Sequence, residues 1–317
     1  MKSRFVSQLK IGDSLEDEPF LLREVHVGSS KQGDPFLRLS LADKTGQINS
    51  VYWNVPDQVA SWVKPGQVAL VDGKVGRYRD SPQIVVNSLV LHESPNMEDF
   101  LATASRDFDE MLAELRTLVG SLNQPYQSLA SALLLDADFL PRFAASPAAK
   151  RMHHAYAGGL LFHVLSMARI GDWMVGHYPR LDRDLLLTGV LLHDIGKVIE
   201  YDTTAGIQIT DDGHLVGHLV RGVIMVEAAA AELPDFPPPV LRQIVHLLVS
   251  HHGKVEWGSP VSPKTLEAVL LHQLDLLDSR VQGFLDFMGE DNAEGKWSQN
   301  ISPMFGTYLR RSIDGEG

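Results

Sequence analysis

The 317-residue chain contains no cysteine. Disulfides and thiolate metal ligands are therefore excluded, and the absence fits a reducing, cytoplasmic setting. Long hydrophobic runs are missing as well. No apolar stretch approaches the roughly 20 residues that span a bilayer, and Met1-Lys2-Ser3-Arg4-Phe5 lacks the apolar segment of a secretory signal. No membrane association is expected. Internal repeats and low-complexity tracts are absent, although Asp235-Phe236-Pro237-Pro238-Pro239 reads as a stiff loop. Positive charge is in short supply. Lys and Arg number 28 against 40 Asp and Glu, a net charge of −12 that argues against adhesion to nucleic acid over the whole surface. The deficit is not uniform. Residues 1–93 hold eleven basic and eleven acidic side chains, so residues 94–317 carry all of the −12. A metal site in such a chain must be built from His, Asp and Glu.

What is present first is a run of short alternating segments. Leu22-Arg23-Glu24-Val25-His26-Val27 is one, and the polar turn Ser29-Ser30-Lys31-Gln32-Gly33-Asp34 follows it. Phe36-Leu37-Arg38-Leu39-Ser40-Leu41 alternates with period two, and Asp43-Lys44-Thr45-Gly46 makes another turn. Residues 47–53 continue the meander, and residues 55–63 fit a short helix ended by Lys64-Pro65-Gly66. Residues 68–75 and 83–91 supply the last two strands. Five strands with a helical insert after the third is the layout of an OB-fold barrel. The segment Leu39-Ser40-Leu41-Ala42-Asp43-Lys44-Thr45-Gly46-Gln47-Ile48 resembles the second and third strands of OB-type nucleic-acid-binding domains. That fold binds single strands by stacking bases on aromatic rings beside a basic groove. Phe36, Tyr52, Trp53 and Tyr78 are the stacking candidates, and Lys31, Arg38, Lys74, Arg77 and Arg79 are the candidate phosphate contacts. Any one of them would equally serve as barrel core or as a solvated charge.

After Glu93-Ser94-Pro95-Asn96 the period changes. Phe108, Met111, Leu112, Leu115 and Leu118 recur at helical spacing within residues 97–119. Residues 128–135 predict a second helix, and residues 138–150 a third, with Pro141 near its start and Pro147 towards its end. From there to about Phe287 every long segment reads as helix. The chain is thus expected to be multidomain, an N-terminal all-β barrel followed by an all-α domain. The expected divisions are a barrel at 1–93, a helical connector at 94–150, a metal-binding helical domain at 151–287 and a tail at 288–317. Trp297, Met304, Phe305 and Tyr308 suit the tail to docking on its own domain or on another subunit, with the last residues disordered.

In Leu191-Leu192-His193-Asp194-Ile195-Gly196-Lys197 an apolar run ends on a His-Asp pair, and a glycine then offers a turn. A buried pair of this kind needs polar partners. A hydrogen bond at a helix end would satisfy it, and so would a metal, because imidazole and carboxylate together suit first-row transition ions. Eleven of the thirteen histidines lie between His153 and His272. Within that stretch His163, His193-Asp194, His218, His251-His252 and Asp275 follow in an order that resembles the HD superfamily of metal-dependent phosphohydrolases in its two-metal arrangement.

A more specific resemblance is to the YhaM-type 3′–5′ exoribonucleases, an OB-plus-HD family. It rests on residues 149–163 from Ala149-Lys150-Arg151-Met152 to Phe162-His163, on Val216-Gly217-His218, and on Ser250-His251-His252-Gly253. It continues through Glu256-Trp257-Gly258-Ser259-Pro260 and residues 263–268 to Leu271-His272-Gln273-Leu274-Asp275-Leu276-Leu277-Asp278. The resemblance implies that His163, His193, Asp194 and Asp275 hold one divalent ion, with Asp194 bridging to a second held by His218, His251 and His252. Two such ions some 3.5–4 Å apart would share a water and lower its pKa for in-line attack on phosphorus, with no covalent nucleophile. It favours Mn2+, with Co2+, Fe2+ and Zn2+ also compatible with nitrogen and oxygen ligands.

Asp194 and Lys197 are the expected catalytic residues, Lys197 to stabilise transition-state charge. His153, His154, Tyr156 and Glu256 are candidates for substrate contact, with support of a ligand from behind or a plain structural role equally open for all four. His214, His246 and His272 are expected to be structural, and Asp278 competes with Asp275 for the ligand role. The implied activity is 3′–5′ hydrolysis of single-stranded RNA, with single-stranded DNA as a further candidate substrate, by a homo-oligomeric enzyme. Hydrolysis of a small nucleotide such as a cyclic dinucleotide or alarmone, and nucleic-acid binding with an inactive helical domain, are the alternatives.

Overall fold

The structure, a computed structural model, describes residues 2–29, 35–78, 81–96, 99–100, 106–150, 154–203, 207–291 and 295–311. Two compact units emerge, Met1–Thr103 with Asp202–Gln208, and Ala104–Tyr201 with Ile209–Gly317.

In the first unit β1 (Ser14–Ser29), β2 (Pro35–Asp43), β3 (Gly46–Trp53), β4 (Val68–Tyr78) and β5 (Ser81–Leu91) form a closed barrel in the order β1-β2-β3-β5-β4. All neighbours are antiparallel except β3 and β5. The single helix α1 (Asp57–Trp62) falls between β3 and β4 in sequence, inside the stretch predicted from the pattern. Period-two alternation turns Phe20, Leu22, Leu37, Leu41 and Ile84 inward, where all five are fully buried. At the β2–β3 turn the Asp43 carboxylate accepts hydrogen bonds from the Thr45 amide at 2.8 Å and the Thr45 hydroxyl at 2.6 Å. These short-range bonds close the hairpin and fix the register Asp43 to Gly46. The polar turn at 30–34, with Lys31, and the tip at 79–80, with Arg79, lie outside the described residues.

The second unit is helical: α2 (Phe108–Gly120), α3 (Tyr126–Leu134), α4 (Phe139–Ala145), α5 (Gly159–His177), α6 (Arg183–Leu192), α7 (Lys197–Glu200), α8 (Asp211–Leu215), α9 (His218–Ala231), α10 (Pro238–Ser250) and α11 (Leu266–Glu290). The helix expected from about residue 97 begins at Phe108, where the Asp107 side chain accepts from the Glu110 amide. The helix expected to reach Lys150 stops at Ala145. Pro147 disfavours helical geometry at Ser146, which is extended with ψ 145°. A two-residue hairpin, β6 (Tyr201–Asp202) with β7 (Gln208–Ile209), interrupts what the sequence pattern read as continuous helix. None of the described helices is long and apolar enough to cross a membrane.

Residues of α2, α3 and α4 share one core with α5, α6, α9, α10 and α11. At its centre lies α6, capped by Asp182 and buried from Asp184 through Leu192. A helix apolar on every side belongs inside such a bundle. Its burial carries His193 and Asp194, which follow directly, into the interior. The tail docks on its own domain. Phe305 meets Phe284 of α11 edge to face at 6.1 Å, and Met304 packs over Gly283. Residues 312–317 lie outside the described residues.

Candidate metal centre and nucleic-acid face

Five elements meet at the end of α6. His163 comes from the second turn of α5, and His193 and Asp194 follow α6. His218 opens α9, His251 and His252 close α10, and Asp275 sits on α11. All seven ligands implied by the resemblance are brought together.

Gly196 makes one of these approaches possible. Its backbone is ordinary helix, φ −67°, so the turn itself does not require glycine. A Cβ there would lie 2.1 Å from the His218 carbonyl oxygen and 2.8 Å from the Gly222 amide. The glycine serves close packing of the His-Asp turn against the start of α9, rather than the change of direction that the sequence suggested.

Asp194 is 2% exposed, and its two oxygens face different clusters. Oδ2 lies 3.3 Å from His193 Nε2 and 3.8 Å from His163 Nε2, while Asp275 Oδ1 is 3.4 Å from His163 Nε2. Oδ1 lies 3.5 Å from His218 Nε2 and 3.6 Å from His251 Nε2. His218, His251 and His252 offer donor atoms within 4.8 Å of one another, as do His163, His193 and Asp275.

The imidazoles share one orientation. Nδ1 of His193 donates to Val190 O at 2.9 Å, that of His251 to Leu248 O at 2.7 Å, and that of His252 to Trp257 O at 2.9 Å. His163 Nδ1 donates to Asp278 Oδ2 at 2.7 Å. His218 Nδ1 lies 2.5 Å from Glu200 Oε2, at ion-pair distance but off the hydrogen-bond direction, so Oε2 counts among the unpaired buried atoms. With Nδ1 bonded in four of the five rings, and facing Glu200 in His218, the Nε2 atoms point inward, where metal ligation requires them. Buried and without hydrogen-bond partners are Asp194 Oδ1, His218 Nε2 and His251 Nε2. Orphaned acceptors are costly inside a protein, and these converge from two sides. The donor set therefore fits divalent cations.

Electrostatics agree. Burial works against ionised Asp194, yet Lys197 and His193 outweigh it and hold the carboxyl well below its usual range. Asp275 is likewise held low, His163 and His193 overcoming its burial. Burial and neighbouring His193 push His251 well down, keeping it neutral and able to ligate. Burial opposes charge on His163, but Asp275 and Asp278 raise its pKa to about 9, so a cation entering here displaces a proton.

Lys197 is tied into the centre, its Nζ 2.6 Å from Asp194 Oδ2 and donating to Ala148 O at 2.7 Å. Three donors on an ammonium leave one more. His154 requires a correction. It is fully buried, Nε2 donating to Asp278 Oδ2 at 2.7 Å and Nδ1 accepting from the Tyr156 hydroxyl at 2.9 Å. Both ring nitrogens are thus occupied within the protein, and the residue braces His163 through Asp278 rather than presenting a free nitrogen to substrate. Tyr156 belongs to the same chain of bonds. Glu256 is exposed on the short 3-10 turn Val255–Trp257, and His153 lies outside the described residues. His246 and His272 bond backbone atoms, the Lys264 amide and His251 O respectively.

Sequence reasoning undervalued Asp278 and missed Ser166 and Glu200. Asp278 accepts from His163, His154 and Ser166 Oγ, the last at 2.5 Å. The i to i+3 spacing from Asp275 placed it on the correct face, but only the packing of α5 on α11 shows which carboxylate faces Nε2 and which Nδ1. Nothing local in the sequence pairs Glu200 with His218. Asp278→Asn is expected to lower divalent-metal affinity about 10- to 100-fold, the usual loss for a ligand-orienting partner. Calorimetric titration of the metal-free protein measures it, and an unchanged affinity would count against this role.

On the barrel, Phe36 and Trp53 are register partners with ring centroids 5.0 Å apart, and the Arg38 guanidinium lies 5.4 Å from the Phe36 ring. Trp53 is 51% exposed and Tyr78 is 55% exposed. Arg38, Val51, Val85 and Lys74 pair successively across β2, β3, β5 and β4, which sets Arg38 and Lys74 in one row. Arg77 is exposed near the end of β4. Tyr52 is not a stacking residue, because it is buried in the barrel core.

Two family models match, "HD domain" over residues 160–280 and "OB-fold nucleic acid binding domain" over residues 23–91. The 3′-5′ exoribonuclease YhaM of Geobacillus sp. (strain WCH70) is 34% identical over 318 residues, covering 96% of this chain and 97% of the relative. This chain belongs to the YhaM-type 3′–5′ exoribonuclease family. The family's Listeria innocua member is 35% identical over 298 residues, 92% of this chain and 93% of its own. Its Bacillus subtilis member is 33% identical over 298 residues with the same coverage. Both domain types expected from the sequence are thus present in the order expected.

Proposed function

We infer that the chain is a metal-dependent 3′–5′ exoribonuclease that releases nucleoside 5′-monophosphates from single-stranded RNA, and also accepts single-stranded DNA. The observation that carries this reading is Asp194, whose two oxygens face two separate donor clusters, in a chain that matches exoribonucleases over nearly its whole length. His163, His193, Asp194 and Asp275 would hold one ion, and Asp194, His218, His251 and His252 the other. Five imidazoles and two carboxylates without sulfur suit Mn2+, and also Co2+, Fe2+ or Zn2+. Such ions, when bound, provide a nucleophilic water at neutral pH and neutralise charge gathering on phosphoryl oxygens. The chain's own residues do the rest. Asp278, Val190 O, Leu248 O and Trp257 O fix the rings, Lys197 holds Asp194 and keeps one donor for the phosphate, and no side-chain nucleophile is needed. The barrel of residues 1–93 grips the strand, the helices of 94–150 support the HD domain of 151–287, and the tail of 288–317 braces α11. Absence of cysteine supports work in the cytoplasm. The protein is proposed to assemble as a homo-oligomer, which light scattering on the purified protein decides.

Incubation with Mn2+ and end-labelled single-stranded RNA tests the reading. A 3′ label is expected to appear at once as mononucleotide, while a 5′ label shortens stepwise. An intact oligomer alongside turnover of a cyclic dinucleotide would refute it. Trp53→Ala is expected to raise the Kd for single-stranded RNA about tenfold or more, given roughly 1–3 kcal/mol per stacked base. Hydrolysis of a dinucleotide should stay unchanged. An undiminished affinity in filter binding would remove the barrel face from the proposal.

A further inference from the structure

Beside the centre lies a pocket of about 160 Å³ lined by His252, Trp257, His272, Asp275, Leu276 and Ser279. Two of its walls, His252 and Asp275, belong to the donor clusters, so whatever fills the pocket lies against the site of reaction. Trp257 is 46% exposed, so part of its ring surface is open to a ligand. Its backbone carbonyl accepts the His252 Nδ1–H at 2.9 Å, which anchors the 3-10 turn to the centre while the indole faces outward. The His272 ring lies 6.0 Å from the indole, and its own Nδ1 donates to His251 O at 2.8 Å. Lys254 Nζ sits 4.6 Å from the indole centroid. An indole that lines this pocket and carries a cation over its ring matches the two halves of a nucleotide: a π-surface for the base and positive charge for a phosphate.

We propose that Trp257, with the tilted His272 ring next to it and Lys254 over its indole until a phosphate draws the ammonium away, forms the subsite that stacks the base of the 3′-terminal nucleotide and seats its scissile phosphate at the centre. The proposal rests on the exoribonuclease reading above. Stacking is indifferent to base identity because every base has a π-face, so this subsite gives sequence-tolerant digestion. It also makes the presence of a base, rather than its kind, a requirement.

The test compares an RNA oligomer ending in a normal 3′ nucleotide with one ending in an abasic 3′ residue, using the Mn2+-loaded protein. The wild type is expected to process the abasic end with kcat/KM at least about tenfold lower, the size of one stacking interaction. Trp257→Ala should treat both ends alike, and Trp257→Phe should restore most of the discrimination. Calorimetry with adenosine 5′-monophosphate and ribose 5-phosphate gives a readout independent of turnover: the wild type prefers the former, and Trp257→Ala loses the preference. If Trp257→Ala still discriminates between the two ends, or still prefers the monophosphate with a base, the subsite is wrong while the exoribonuclease reading stands. If the wild type hydrolyses neither oligomer from its 3′ end, both fall together.

Discussion

Asp194→Asn should abolish hydrolysis, lowering kcat by about a thousandfold or more, and should leave single-stranded RNA binding by the barrel within about twofold. The first figure follows from several kcal/mol of charge stabilisation supplied by a correctly held pair of ions, at 1.36 kcal/mol per decade of rate. The second follows because the substitution changes no residue of the barrel. Asparagine keeps the size of the side chain but removes the charge that the converging imidazoles and Lys197 share. Its amide would turn two hydrogens towards one of the two clusters, where lone pairs are required. Lys197 would lose its partner inside the protein, so a fall in stability of about 3–5 kcal/mol is expected as well. Metal content by plasma emission, thermal melting and end-labelled RNA assays together measure these effects. His252→Gln provides a milder companion, since His252 is only half-buried and carries no ion pair with Asp194. Full turnover by the Asp194 variant would remove the assigned site from consideration.

Gly196→Ala is the second large effect. Alanine accepts the local backbone angles without strain, so the whole consequence is steric. A methyl group at 2.1 Å from His218 O must move to ordinary contact at 3.4 Å or beyond, and the atoms in its way are backbone. The start of α9 gives way, and His218 moves with it. Overpacking of this kind costs about 1–3 kcal/mol in stability. The functional loss should be larger, because one cluster loses a donor. We expect about half the metal content of the wild type, activity down more than about a hundredfold, and a helical circular dichroism spectrum that is retained. Normal metal content with normal activity would show that the backbone relaxes without disturbing His218.

Much of this was legible in the chain. Period-two alternation gave five strands because each barrel strand has one face in the core, and the apolar run before His193 announced a helix buried on all sides. The ligand set was legible through the family resemblance, and every ligand but Asp275, which lies well inside α11, sits at a helix end or on an early turn. Contacts that depend on which helix packs on which were not readable. The choice between Asp275 and Asp278 and the pairing of Glu200 with His218 are of that kind. The same holds for Tyr52, whose alternation partner Trp53 faces outward. Gly196 shows the limit most clearly. Its presence was noticed, but the reason lies in a carbonyl more than twenty positions away.

The acids that complete the histidine ring, Asp275 and Asp278, reside on the last long helix, against which Phe305 and Met304 of the tail pack. A chain still emerging from the ribosome carries every imidazole before either of these carboxylates. The His163, His193 and Asp275 cluster therefore cannot close until α11 has been made and packed against α5. A chain that ends before residue 275 lacks a ligand of that cluster, whereas Asp194, His218, His251 and His252 are all already present.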